Sequence, residues 1–399
     1  MNESASMAHR NGRPAHICFV SVNILPVLID SAVPFAGGAE VQQTILARAL
    51  RPRGYRVSVL TRDPSHHLSL LAQRGTPDGV EIHVIPPENG RGIRGLRRIH
   101  PRLTDIVRRL RDIDPDVVYF RCASGLLAAC VWYARRYGKR VIFAAAHDDD
   151  FLAGRIFGLE RRELWLFRGS LRWCHAILVQ NRAQWKLLKD RFNREGVVIP
   201  NCFEERQSLA GDAAGPVLWV GTVKPAKRPE LFVELAASVP GRRFVMIGGA
   251  VGGTRADVEY ARGIETRARE VSNLDFVGFV PFANVGSYFD GAGVLVNTSD
   301  SEGFPNTFLQ AWIRGIPTLS FVAPVTNDES TGTIVCRTFA DMRDGLAKLL
   351  NTSEAWYEAS SRARDHFARF HSVEAVLPAY ESVFRAPSPG CARQMLGNL

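Results

Sequence analysis

With 399 residues, 46% of them hydrophobic and 23% charged, the chain is long enough for about two globular domains and is neither disordered nor fibrous in composition. Its net charge of +10 suits a polyanionic ligand or an anionic surface, and equally a solvated basic one. No apolar run approaches the ~20 residues that span a bilayer, Leu126 to Ala134 being the longest candidate, and the opening MNESASMAHRNGRP lacks a signal-peptide core, so a cytoplasmic protein is expected. Seven cysteines without Cys-x-x-Cys spacing fit reduced thiols rather than a disulfide framework or a zinc site.

An apolar run, His16 to Val22, opens the chain as a predicted strand. A helix starts around Gly37-Gly38-Ala39-Glu40, with Val41, Ile45 and Ala49 at helical spacing, and Gly54 closes it before a strand from Arg56 to Thr61. The Gly-Gly start does not satisfy Gly-x-Gly-x-x-Gly, so a nicotinamide site is not supported. Further strands are predicted at Glu81 to Ile85, Asp116 to Phe120, Arg140 to Ala145, Ala176 to Val179 and Val197 to Ile199. Short apolar strands alternating with helices imply a parallel, doubly wound sheet, whose ligands bind beyond the carboxyl ends of the strands. Those ends carry Val22-Asn23, Arg121 and His147.

Between Arg91 and Arg111 there are eight arginines and one acid, Asp105. A helix from Pro101 would carry Leu103, Ile106, Val107 and Leu110 on its other side. It reads either as a basic amphipathic helix for an anionic membrane surface or as a surface helix packed on the sheet. Nucleic acid is not expected, because no recognised module or aromatic-interleaved basic patch appears. His147-Asp148-Asp149-Asp150 contains an Asp-x-Asp, a pattern that elsewhere holds Mg²⁺ or Mn²⁺.

Pro200 to Gly215 reads as a linker, after which strand-helix alternation begins again at Val217 to Val220. The next loop, Gly221-Thr222-Val223-Lys224-Pro225-Ala226-Lys227-Arg228-Pro229, places three cations just after a strand, where they can neutralise a diphosphate beside a helix start. Gly248 to Gly253 follows the strand Phe244 to Ile247 and could let backbone approach a phosphate. The strand from Gly293 to Asn297 leads into the turn Ser299 to Pro305. There Glu302 supplies a carboxylate, Gly303 permits close approach, Pro305 suits a first helical position, and the N–H groups of Asn306 and Thr307 open a helix toward an anion.

Ser299-Asp300-Ser301-Glu302-Gly303-Phe304-Pro305-Asn306, then Ala311-Trp312 and Gly315-Ile316-Pro317, resembles the donor-sugar signature of the retaining family 4 glycosyltransferases. The resemblance implies an α/β GT-B fold: two doubly wound Rossmann-like domains facing a cleft, residues 1–203 on the acceptor side and 204–372 on the nucleotide-sugar side, with 373–399 crossing back. It implies a sugar nucleotide as co-substrate, no metal or other cofactor, and a saccharide or lipid-linked acceptor. Glu302 matches the family's first acid, which holds the transferred sugar, and Phe304 lies within the same signature. Gln310 stands where a second Glu is usual at the ribose. Gly221 and Lys227 match the diphosphate loop, Thr222 replaces the usual Arg, and Lys224 or Arg228 could substitute for it. Gly37 and Gly38 resemble the loop near the donor phosphates, and Val277 and Phe279 lie in a segment like the one whose backbone reads the base. His147 matches a His that touches donor or acceptor, with Arg121 and Asp148 on the acceptor side. A sugar-nucleotide epimerase or hydrolase, or a non-catalytic nucleotide-sugar-binding protein, remains an alternative, since Thr222 and Gln310 depart from the pattern.

Overall fold

The computed structural model describes residues 9–10, 13–29, 37–63, 77–86, 100–152, 154, 159–204, 210–250, 254–323 and 332–386. It divides into two units. The first holds the residues up to Ile29, Gly37–Pro200 and the chain from Val376 onward, and the second begins at Asn201.

In the first unit, seven strands form one parallel sheet: β1 (His16–Val20), β2 (Arg56–Thr61), β3 (Glu81–Val84), β4 (Val117–Arg121), β5 (Arg140–Ala144), β6 (Ala176–Val179) and β7 (Val197–Val198), in the order β3-β2-β1-β4-β5-β6-β7. β1, β4 and β5 are buried along their whole length, as unbroken apolar strands covered on both faces should be. Five main helices cover the sheet: α1 (Gly38–Leu50), α2 (Arg102–Ile113), α3 (Leu127–Tyr137), α4 (Arg161–Leu171) and α5 (Arg182–Phe192). The chain winds outward from β1 to β3, returns to place β4 beside β1, and winds the other way. The crevice at the carboxyl ends of β1 and β4 is therefore the topological switch point, where open α/β sheets hold ligands.

The second unit repeats the plan with β8 (Val217–Val220), β9 (Phe244–Ile247), β10 (Leu274–Gly278), β11 (Val294–Asn297), β12 (Thr318–Ser320) and β13 (Thr333–Val335), ordered β10-β9-β8-β11-β12-β13. Its helices are α6 (Pro229–Ser238), α7 (Arg255–Arg269), α8 (Phe282–Phe289), α9 (Asn306–Ile313), α10 (Phe339–Asn351) and α11 (Ser353–Phe370). The switch point lies between β8 and β11, so the loops that leave Val220 and Asn297 share one edge. A last helix, α12 (Val373–Arg385), packs its outer turns on the first unit. Arg140 donates to the carbonyls of Val383 and Phe384, both at 2.7 Å, and Tyr119 meets the rings of Tyr380 and Phe384.

The division falls at Pro200 rather than at residue 203, for a local reason. The Asn201 carbonyl accepts from His371 Nδ1 at 2.8 Å, and Phe203 N donates to the His371 carbonyl at 3.0 Å. His371 is fully buried and stacks with Phe304 and Trp312, with ring centroids 4.9 and 5.6 Å away, so it belongs to the floor beneath α9. Burial pushes its imidazole down to about 3, against the Asn201 carbonyl, which favours the charged form.

Gly248 also has a structural task. Its φ is +154°, and a Cβ there would sit 1.8 Å from the Gly221 carbonyl oxygen. Its N–H donates to Gly278 at 2.8 Å while Gly221 N–H reaches Ile247 at 3.0 Å, so the glycine run is consumed in part by strand-end packing.

Two outcomes are expected. Gly248→Ala forces the β8 and β9 ends apart and should cost about 3 kcal/mol in urea unfolding. The His371 imidazole titrates near 6.5 when unfolded and about 3 when folded. Between those values the unfolded chain binds the extra proton, so stability falls as pH drops, by about 1.4 kcal/mol per pH unit at most. His371→Gln should flatten that slope in melts between pH 4 and 7. His16, lowered to about 4 by burial, leaves a residual slope.

Candidate active site

At the second unit's switch point the loops after β8 and β11 are tied together before any ligand arrives. Trp219 Nε1 donates to Thr298 Oγ1 at 3.0 Å, and Thr298 Oγ1 donates to the Lys227 carbonyl at 2.7 Å. Asp300 N–H reaches the Ala226 carbonyl at 3.1 Å, and Arg228 pairs with the Asp300 carboxylate at 3.0 Å. A single 3₁₀ turn, Pro225–Lys227, and the left-handed Arg228 (φ +46°) swing the loop into α6, whose first residue is Pro229.

The result is a three-donor clamp on one carboxylate. Lys227 Nζ, Ser299 Oγ (2.6 Å) and Asn297 Nδ2 (3.3 Å) all donate to Glu302 Oε1. Among the described residues none donates to Oε2. Asn297 is itself oriented, because its Oδ1 accepts from Ser299 N–H at 3.0 Å. Burial pushes the Glu302 carboxyl up, but the Lys227 charge and the three hydrogen bonds outweigh it and hold the group below the usual carboxylate range. Glu302 is thus a partly buried, ionised acceptor sharing a cation with whatever binds beside it.

Helix α9 starts at Asn306, and Pro305 (φ −67°, ψ 120°) is its N-cap rather than its first helical residue. With ψ extended, Pro305 turns the chain into the helix while its carbonyl accepts from Phe308 N–H at 3.1 Å, so the helix opens with the N–H groups of Asn306 and Thr307. Asn201 Nδ2 steadies this end, lying 3.4 Å from both the Phe304 carbonyl and Asn306 Oδ1. Gly303 lies in the turn between Glu302 and the buried Phe304. Gln310 is only 4% exposed, one helical turn beyond Asn306. Gly221 and the half-buried Thr222 border the cation loop, and Lys224 is exposed on it. Val277 and Phe279 are exposed at the end of β10, where Phe279 lies against Gly249.

The first unit's expected residues gather at its own switch point. Arg121 ends β4, buried, where the Tyr119 and Tyr380 side chains favour its charge against the cost of burial. Gly37 is the N-cap of α1, and a Cβ on it would fall 2.1 Å from Glu40 Oε2, so only glycine lets that carboxylate fold back on the helix start. Gly38 is exposed in the first turn. Burial raises the Glu40 carboxyl, opposed by a backbone hydrogen bond and by Arg121.

His147 caps the 3₁₀ turn Asp148–Asp150, its Nδ1 accepting from Asp149 N–H at 3.3 Å. The Asp-x-Asp pair has other occupations: Asp148 accepts from Gln184 at 2.9 Å, and buried Asp150 accepts from the N–H groups of Ala146 (2.7 Å), His147 (3.3 Å) and Ala123 (3.3 Å). Asp150 thereby joins the loops after β4 and β5. Among the described residues no group of three His, Cys, Asp or Glu is arranged to hold a metal.

Of the basic stretch, Arg91 to Arg98 lie outside the described residues. In α2, Ile106, Leu110 and Ile113 are in the core, Asp105 is buried, and Arg102 pairs with Glu163 at 2.7 Å. The apolar side of this helix is spent on the sheet, so it cannot enter a membrane. No described helix is long and apolar enough to cross one.

Lys227, Arg228, Glu302 and the α9 start, singled out in the sequence, lie together in the structure; Asn297 and Ser299 as clamp donors, Asn201 and His371 as supports, and Trp219 as the tie were not expected. Asn297 and Ser299 were visible as polar residues closing an otherwise apolar strand just before the acid. Asn201 and His371 lie too far away in sequence to be found that way.

The profile described as Glycosyltransferase Family 4 matches residues 36–206, and Glycosyl transferases group 1 matches residues 215–352. The D-inositol 3-phosphate glycosyltransferase of Mycobacterium avium is 32% identical over 42% of this chain and 42% of its own length, and that of Geodermatophilus obscurus is 26% identical over 98% and 94%. The stronger of these likenesses thus spans well under half of the curated relative. Sucrose-phosphate synthase from Thermosynechococcus elongatus superposes with a TM-score of 0.71 at 16% identity, covering 96% of this chain and all of that one. HepE from Anabaena in complex with UDP-glucose gives 0.68 at 15%, covering 92% and 99%. These likenesses show the GT-B type of fold. With one profile on each unit and only residues 207–214 between them, the chain belongs to the family 4, group 1 glycosyltransferases.

Proposed function

We propose that this protein is a retaining glycosyltransferase that moves a sugar from a nucleoside-diphosphate sugar to a hydroxyl of a saccharide or glycolipid acceptor, in surface polysaccharide or glycoconjugate assembly. The observation that carries the reading is the clamp. A lysine, a carboxylate clamped through Oε1 by three donors, and a helix start share the edge where an α/β sheet holds its ligand.

Each part has a task in that reaction. Lys227, with Arg228 or Lys224, and the N–H groups at Asn306 and Thr307 face the diphosphate, whose charge grows as the bond to the sugar breaks; placing fixed positive charge there lowers the barrier. Glu302 Oε2 accepts from hydroxyls of the transferred sugar and steadies positive character at its ring. Val277 and Phe279 offer an apolar edge to the base, and Gln310 makes neutral bonds to the ribose. On the first unit, the family resemblance assigns Gly37 and Gly38 to donor phosphate and Arg121, His147 and Asp148 to the acceptor. Cations and a helix dipole suffice for the leaving group, so metal is not required.

A thermal-shift panel of UDP-, GDP-, ADP- and dTDP-sugars tests the reading. At 100 times its Kd a donor should stabilise the protein by ~2.7 kcal/mol, equally with EDTA and with Mg²⁺. Transfer should then appear with acceptors that include free saccharides, lipid-linked saccharides and a phosphorylated cyclitol, the last because relatives are named for it. Free sugar released without any acceptor at the full turnover rate favours a hydrolase, interconversion of the donor an epimerase, and binding without turnover a non-catalytic protein.

Glu302→Gln should lower turnover by roughly 100-fold while the donor still binds. Because Lys227 helps hold Glu302 ionised, activity should fall only as pH drops below the ordinary carboxylate range, and Lys227→Met should move that acid limb upward. Gln310→Glu should tighten donor binding severalfold, by ~1 kcal/mol; unchanged affinity would remove Gln310 from the ribose.

A further inference from the structure

Helix α4 turns Leu164, Phe167 and Leu171 into the core of the first unit and leaves Arg161, Trp165, Arg168, Gly169 and Arg172 along a groove of about 820 Å³. Spacings of three and four residues put that second set on one helical face. Trp165 is 75% exposed and Trp173, just past the helix, is 51% exposed; both line the groove together with Phe192 at the end of α5, and its walls are mostly apolar. The Arg135 guanidinium stacks 3.7 Å over Trp173 and steadies that indole. Gly169 lies between the two indoles in sequence and lines the groove with them. A Cβ on Gly169 would meet nothing within 4 Å, so packing does not call for glycine, although glycine weakens a helix interior relative to alanine. Its bare backbone keeps the floor of the groove open.

Among the described residues none that lines the groove is acidic, while Arg161, Arg168 and Arg172 rim it. Arg168 is braced by the carbonyls of Leu152 (2.5 Å) and Gly154 (2.9 Å), which fix its charge without neutralising it. Arg161 and Arg172 enter no ion pair among the described residues. We infer that this groove binds an acidic polysaccharide, a chain of sugar rings that carry carboxylates. A pyranose ring has an apolar C–H face that lies flat on an indole and a polar edge that hydrogen-bonds to its surroundings. A uronate adds a carboxylate, which an arginine holds through two parallel bonds. Trp165 and Trp173 are separated by roughly 12 Å along the helix axis, so a chain laid over Gly169 can bring a different ring to each indole. A neutral glycan would leave the arginines unmatched. An acidic peptide would find no strand edge here, because the backbone of α4 is spent on its own hydrogen bonds.

The test is calorimetric titration of the full chain with a galacturonic acid hexamer, against maltohexaose, which has rings without charge, and hexaglutamate, which has charge without rings. No sugar donor is present, so the outcome does not depend on the proposed transfer reaction. The uronide should bind more tightly than either control by roughly tenfold or more. Trp165→Ala should weaken its binding roughly tenfold. Gly169→Leu fills the floor of the groove and should weaken binding by about 30-fold, while the melting temperature holds or rises, because leucine favours a helix and its Cβ meets open space. Absence of uronide binding, equal binding of either control, or an affinity that either variant leaves unchanged overturns the inference. So does a groove that takes up anionic phospholipid vesicles and not the uronide.

Discussion

The proposed chemistry of the second unit depends on one ion pair, Lys227 with Glu302, and on the sheet order that makes that pair possible. Lys227 follows β8 and Glu302 follows β11, far apart in the chain, yet these strands are neighbours because the winding reverses between them. A partly buried ion pair of this kind is poor evidence of stability, since desolvation offsets most of the attraction. Its value is positional. With Oε1 committed to three donors, Glu302 keeps one oxygen in a fixed direction, and the lysine charge is held where a diphosphate would meet it.

Two layers of support hold the pair. Trp219 and Thr298 tie the loops through one hydroxyl, and the His371–Asn201 bond with the edge-to-face Phe304–Trp312 contact forms a floor beneath the start of α9. His371 serves as a neutral donor in an apolar setting, so its role is packing and orientation rather than proton transfer. In the first unit the corresponding buried brace is Asp150, whose carboxylate collects three backbone N–H groups from two loops. Both units therefore position their loop residues by buried polar groups that never need to touch a ligand.

Much of this was legible in the sequence, for identifiable reasons. Strands such as Arg56–Thr61, Ala176–Val179, Val217–Val220 and Phe244–Ile247 coincide with their apolar runs because parallel strands buried on both faces have to be continuous. The turn at Glu302 was legible through the wider run from Ser299 to Pro317, which resembles the family signature; glycine, proline and a carboxylate alone would equally suit an ordinary strand-to-helix turn. Local signals failed where the partner is distant. Gly248 is required by the Gly221 carbonyl, a contact that no local pattern announces, and the acidic run at Asp148 to Asp150, at which no metal was expected, divides between Gln184 and backbone N–H groups. The basic helix showed its amphipathicity plainly, but only packing reveals that its apolar side is already occupied.

The central claim is that the Lys227–Glu302 edge recognises a diphosphate, and calorimetric titration tests it most directly. Once the bound nucleobase is known, its nucleoside diphosphate and monophosphate would be titrated into the native chain and into Lys227→Ala. The account predicts that the native chain prefers the diphosphate by at least tenfold, about 1.4 kcal/mol, and that the variant loses most of that preference while still binding the monophosphate. An undiminished preference in Lys227→Ala would contradict it and move the phosphate site elsewhere in the fold.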